Sequence, residues 1–256
     1  MSVLGILLIK GLIAGIIVGF VTSSIQSWMD RFFLVILLVS IVRLPIQQAI
    51  TINLVVVGLS SLMFALRQTD ALMKVREDWA MIIVSSAVGG IFGRLLGLHT
   101  TTPVLLISLG IYAIAMGLRL VFVRPVPARE EAAHPAWLSP VAFLGGVLTG
   151  FLGAGGKPFK VPVYNWALGH HPRRAYALAS LGITTSVWVA LGTQIGIGQF
   201  LTAAEMMWGA YEFVVITLTA LWVATFWTPN LNKIVGLIIS PLLVLAGIRF
   251  IWMVLA

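Results

Sequence analysis

The chain of 256 residues contains no cysteine, which excludes disulfides and thiolate metal sites and leaves the compartment open. It is also poor in charge: charged residues make up 9% of the sequence, against about 25% in a soluble domain. Acidic residues are the scarcer kind, 8 against 16 basic ones, for a net charge of +8. No Ser-His-Asp order and no His-x-x-x-His spacing is present. The sequence therefore suggests no catalytic residue, metal ligand or cofactor, and an enzyme is not expected. His170 and His171 adjoin Pro172, Arg173 and Arg174 without another acid or histidine nearby, and are expected to form a solvated basic turn.

What is abundant is apolar. Hydrophobic residues reach 60% and the mean hydropathy is +1.06, so the fold class expected is an all-α polytopic membrane protein whose partner is the lipid bilayer. The basic residues sit mostly in short loops, where topology and anionic headgroups account for them better than nucleic acid does. The first apolar stretch holds Lys10 and shows no small-residue cleavage site, which reads as a span rather than a signal peptide.

Ten apolar segments are visible, roughly 3–22, 29–43, 46–66, 79–98, 102–123, 138–153, 158–169, 173–197, 205–227 and 230–255. The second and seventh are short for a bilayer and read as half-helices or tilted arms of a hairpin. The longest polar stretch divides the segments five and five. This gives an N-terminal membrane repeat at 1–123, a cytoplasmic linker at 124–137 and a C-terminal membrane repeat at 138–256. Gly15-Ile-Ile-Val-Gly19-Phe20 matches Gly146-Val-Leu-Thr-Gly150-Phe151, and the element starting at Pro45 resembles the one starting at Pro172 with one residue of slippage. Five segments per half is odd, so the repeats are expected to be inverted, with broken or re-entrant helices near the start of each. Arg67, Lys74, Arg76, Arg124, Arg129, Arg173 and Arg174 fall in loops on one side. The positive-inside bias makes that side cytoplasmic and places both termini outside. Trp28, Trp79, Trp137, Trp208 and Trp227 fall near segment ends, as interfacial belts do, whereas Trp188 is expected in the core.

The candidate site starts at Gly145–Pro162. A helical pattern runs to Phe151 and breaks at Gly153, Gly155 and Gly156, followed by Lys157, Pro158, Lys160 and Pro162. Irregular backbone at membrane depth must be buried in protein or line a cavity, and a cation there marks a functional site. A helix restarting near Lys157–Pro158 would aim its first amides, with Lys157, at an anion. Lys160 is expected closer to the surface. The opposing reading is a close helix crossing, with both lysines reaching headgroups. The repeat alignment sets Gln26 opposite Lys157 and Ser24 opposite Gly155. The substrate-binding candidates are thus Lys157, Gly155, Gly156, Gln26, Ser23, Ser24, Asn53 and Ser180, unless the hydroxyls bond their own helices. Thr202-Ala-Ala-Glu205 reads as a capping box. Glu212 lies about two turns further and is a possible proton-coupling acid, or a headgroup neighbour beside Trp208 and Tyr211.

Gly150-Phe-Leu-Gly-Ala-Gly-Gly-Lys-Pro-Phe-Lys-Val-Pro162 resembles the duplicated glycine-rich signature of the TauE/SafE sulfite exporter family. The Pro-x-x-Ala element after it and the segment count fit the same family. Lys157 stands where that pattern has its last glycine, and in the first half Thr22-Ser23-Ser24-Ile25-Gln26 replaces the signature. The resemblance implies a secondary transporter of small sulfur-containing oxyanions, sulfite or organosulfonate, in a bacterial inner membrane; inverted repeats would set its site near the midplane between them, and a potential negative inside favours export. Two alternatives stay open: a proton-coupled anion importer, and a non-transporting membrane interaction protein. A dimer is compatible with either.

Overall fold

A computed structural model of the chain describes residues 3–24, 31–67, 69–123, 126–153 and 156–256. Every regular element among them is helical. In chain order these are α1 (Val3–Ser24), α2 (Phe32–Leu37), α3 (Ile46–Arg67), α4 (Thr69–Met73), α5 (Trp79–His99), α6 (Thr102–Phe122), α7 (Leu138–Leu152), α8 (Gly156–Pro162), α9 (Pro172–Gly196), α10 (Ala203–Ala224) and α11 (Pro229–Leu255). Eight are long and apolar enough to cross a bilayer. The exceptions are α4, which was not expected, and the short helices α2 and α8. Each of these two continues into a π-helical turn, Leu38–Val42 and Val163–Ala167. All ten expected segments are therefore present, and the second and seventh are short.

The two short elements end alike. Arg43 takes the left-handed conformation with φ 66° and Gly169 does so with φ 78°. In each case the following amide reaches back six residues, Leu44 to the Leu38 carbonyl and His170 to the Tyr164 carbonyl, both at 3.0 Å. This bond satisfies a carbonyl that the helix end would otherwise leave open.

The described helices group into two compact units, each drawing on both halves of the sequence. The first comprises residues 1–53, 100–124 and 204–256, and the second residues 54–99 and 125–203. In the second unit, α5 and α7 meet backbone to backbone. A Cβ on Gly146 would lie 2.6 Å from the Ser86 carbonyl oxygen, and Cβ atoms on Gly89 and Gly93 would collide with the Phe143 and Val147 carbonyls. On the other side of α5, Gly90 faces Ser186 of α9, and Arg94 reaches Gln194. Residue numbers rise together along both seams, so α5, α7 and α9 run parallel. In the first unit α1 runs parallel to α10, with Gly11, Gly15 and Gly19 against Trp208, Val215 and Thr219. There α6 and α11 are antiparallel, joined where Gly110 meets Gly247 and where Ser240 donates 2.7 Å to the Gly117 carbonyl.

The parallel course of α7 and α9 has a consequence for α8. The stretch Gly156–Ala167 has to carry the chain back along α7, yet at about 1.5 Å per residue it covers only ~18 Å, well short of the roughly 30 Å hydrocarbon layer. The turns around it make up the rest. Many exposed side chains on the long helices are apolar, Phe122, Leu237 and Trp252 among the most exposed, as lipid contact requires. Trp188 departs from its expected core position. It is 40% exposed, its indole packing beside Gly58 of α3, 3.4 Å from the Cβ position there.

The α5–α7 seam makes a stability prediction. Gly93→Ala should cost about 1–3 kcal/mol, as overpacking does, and lower the thermal midpoint in detergent. Gly192→Ala, with nothing within 4 Å of its Cβ position, should leave the midpoint unchanged or raise it slightly.

Candidate functional site

The glycine break lies in the second unit. Gly153 caps α7 with φ 76°, a conformation that only glycine adopts without strain. The chain resumes as α8 at Gly156, close to where the sequence placed the new helix. Gly156 packs on the second half of α7, where a Cβ would collide with Thr149 Oγ1 and stand 2.6 Å from the Gly145 carbonyl oxygen. Gly155 lies outside the described residues.

The two lysines of α8 differ in depth. Lys157 is half-buried. Its Nζ donates 3.1 Å to the Tyr176 hydroxyl and stands 4.2 Å from that ring's centroid. Lys160, expected nearer the surface, is 0% exposed. The burial has a steric cause. Gly145 on α7 leaves room for the Lys160 stem, and Gly182 on α9 leaves room for its amine. The Nζ then donates 3.2 Å to Ser86 Oγ on α5.

Polar groups continue from Ser86 along the α5–α9 seam. Ser186 donates to the Ser86 carbonyl at 3.1 Å and to the Gly182 carbonyl at 2.6 Å. Two turns past Ser86, Arg94 is fully buried, and its Nε donates 3.1 Å to Gln194 Oε1. Sequence reasoning missed Arg94, although a lone arginine inside an apolar run was a usable signal. Ser180, on α9 one turn beyond Tyr176, is buried with no hydrogen-bond partner for its hydroxyl among the described residues. Gly156, Lys157 and the Ser180 helix are thus brought together. Thr184 and Thr185 bond the carbonyls of Ser180 and Leu181 in their own helix.

The linker closes the far end of α8. Asn165, fully buried, donates to the carbonyls of Val126 and His170 at 2.9 and 2.8 Å and accepts from the Val126 amide at 3.0 Å. The Arg129 guanidinium caps the Trp166 and Ala167 carbonyls. Arg174 meets Glu77 and Asp78, each at 2.7 Å. His171 is exposed and accepts from the Arg173 amide. His170, expected in a solvated turn, is instead 9% exposed, because the six-residue return bond to Tyr164 folds it beneath the turn.

The remaining candidates lie on the first unit. Ser23 donates 3.0 Å to the Ala220 carbonyl on α10, while Thr22 bonds the Val18 carbonyl of its own helix at 2.7 Å. Asn53 is fully buried on α3. Gln26 and the side chain of Ser24 lie outside the described residues. Glu212 is fully buried on α10, two turns from Ala220, and neither carboxylate oxygen has a hydrogen-bond partner among the described residues. The two units share a pattern here. Gly146, of the second glycine match, faces Ser86 in one unit, and Gly15, of the first match, faces Glu212 in the other. Glu212 therefore holds the position that Ser86, the partner of Lys160, holds in the second unit.

Among known families, the model described as sulfite exporter TauE/SafE matches residues 8–250. Neither curated proteins nor solved structures give a match.

His170 supplies a pH prediction. Burial pushes its pKa below the ordinary value, the Arg174 charge pushes it further, and Asp78 partly opposes both. The native protein then binds fewer protons than the unfolded chain once the pH falls below about 6.5. Stability contributed by the neutral ring is complete above that value and lost as the pH drops towards the folded pKa. Acidification from about pH 7.5 to 5.5 should lower the thermal midpoint more in the native protein than in His170→Asn.

Proposed function

The chain belongs to the sulfite exporter TauE/SafE family, and from that premise we propose that it carries sulfite or small organosulfonates outward across a bacterial inner membrane. The observation that carries the reading is Lys160, a lysine fully buried on the short helix behind the Gly153 break, its amine facing Ser86 and Gly182. On insertion scales, a lysine at the centre of a span costs about 2.5–3.5 kcal/mol. A charge held at that cost is well suited to draw a small anion out of water.

In this reading Lys157 receives the anion. It lies three residues before Lys160, so the two stand on neighbouring positions of one helix. Gly156 lets the anion approach the backbone, and the Ser180 hydroxyl is a neutral donor. The two halves of the sequence act as inverted repeats whose rocking gives alternating access, with both termini outside. A membrane potential negative inside favours anion exit by about 2.3 kcal/mol per charge per 100 mV.

Counterflow of labelled sulfite in proteoliposomes tests this reading. Lys157→Met and Lys160→Met should each lower the initial rate at least ~10-fold, about 1.4 kcal/mol, while Arg173→Gln, on the exposed start of α9, should not. Thermal midpoints near that of the native protein would show that both variants are folded. Native rates in both lysine variants would refute the site.

A further inference from the structure

We infer that the Glu212 carboxyl, enclosed between α1 and α10, is the proton-binding site of the transport cycle. The inference rests on the anion-transport reading and adds the ion that accompanies the anion.

The geometry is a box built for one carboxyl group. Glu212 Oε1 lies 2.9 Å from the Cβ position of Gly11, and Oε2 lies 2.8 Å from that of Gly15. Trp208 closes the box one turn before, against Gly11, and Val215 closes it after, against Gly15. Alanine at either glycine would remove the space. The side chain is 0% exposed, and both of its oxygens lack a hydrogen-bond partner among the described residues. An ionised carboxylate in such a place loses its hydration with no donor in return, whereas the neutral acid loses far less. The acid form therefore fits the closed seam.

Other occupants fit poorly. A hard metal cation wants about six oxygen ligands, and this box offers the two of a single carboxyl. Nor does a salt bridge account for the position. On the elements of the same unit, Arg43, Lys233 and Arg249 are exposed, while Lys10, Arg31, Arg119 and Glu205 are half-buried. α2 and its π-helical end carry no titratable side chain. Tyr112 packs edge-on against Phe32. Tyr211, next to Glu212 in sequence, donates its hydroxyl 3.1 Å to the Leu8 carbonyl.

The link to movement follows from this enclosure. Ionisation requires water at the carboxylate, and parting of α1 from α10 admits it. One proton is taken up from water at a carboxylate oxygen as the seam closes, and one is returned to water when it opens. Proton occupancy and helix separation are then two views of one equilibrium. The shared pattern of the units supports a functional role. The position held by Glu212 is the one whose counterpart, Ser86, bonds the buried Lys160.

Two measurements test the inference. In proteoliposomes with an entrapped pH dye, sulfite addition to the native protein should move protons above the protein-free background. In Glu212→Gln the number of protons moved per sulfite should fall at least ~10-fold. An unchanged ratio, or a native flux that follows a sodium gradient and not the proton gradient, would overturn it. The second is an infrared pH titration of the purified protein without sulfite. A protonated carboxylic acid band should be present at neutral pH and missing from Glu212→Gln. Absence of that band from the native protein overturns the inference even if sulfite transport is normal. Its presence without any sulfite transport sustains the proton site and rejects the anion reading alone.

Discussion

Contact between bare helix backbones at the α5–α7 seam is the constraint on which the second unit depends. Gly89, Gly93, Gly146 and Gly150 leave no side-chain thickness between the two helices. Within a membrane such contact replaces the hydrophobic drive that lipid cannot supply. It also fixes α7 so that its Gly145 face turns towards α8, and it leaves Ser86 on the α5 face that meets Lys160 and α9. The lysine is buried because three helices are held close enough to enclose its stem, and glycine at 145 and 182 gives it somewhere to go.

Buried charge is then distributed along seams that glycine has opened. Lys160 and Arg94 share the α5–α9 side of the second unit, each with a neutral partner in Ser86 or Gln194. Glu212 occupies the matching seam of the first unit. Charges inside a membrane are costly and persist where they act. Lys160 and Arg94 buried in one unit and Glu212 buried in the other suit a protein that handles an anion and a proton.

Much of this was legible in the chain. Hydropathy located all ten segments within a few residues because lipid admits only backbone that bonds internally, and Gly153 announced the end of α7. The two glycine matches were visible too, and their packing on α10 and α5 gives them a physical meaning that sequence similarity alone lacked. Depth was not legible. Whether Lys157 or Lys160 turns inward depends on which side of α8 faces Gly145 and Gly182, residues 15 to 22 positions away from Lys160 on other helices. Likewise the burial of His170 depends on a six-residue return bond, and Trp188 packs beside a glycine in α3. The correspondence of Glu212 with Ser86 was hidden because the two side chains share no chemistry; only their glycine neighbours reveal it.

The central claim is that a small oxyanion binds at the α8 lysines. Its most direct test is an experimental structure of the protein with selenite, whose selenium scatters anomalously, in place of sulfite. The account predicts an anomalous peak within hydrogen-bonding reach of Lys157 Nζ or Lys160 Nζ, lost in the Lys157→Met, Lys160→Met double variant. A peak elsewhere that survives the double substitution would contradict it.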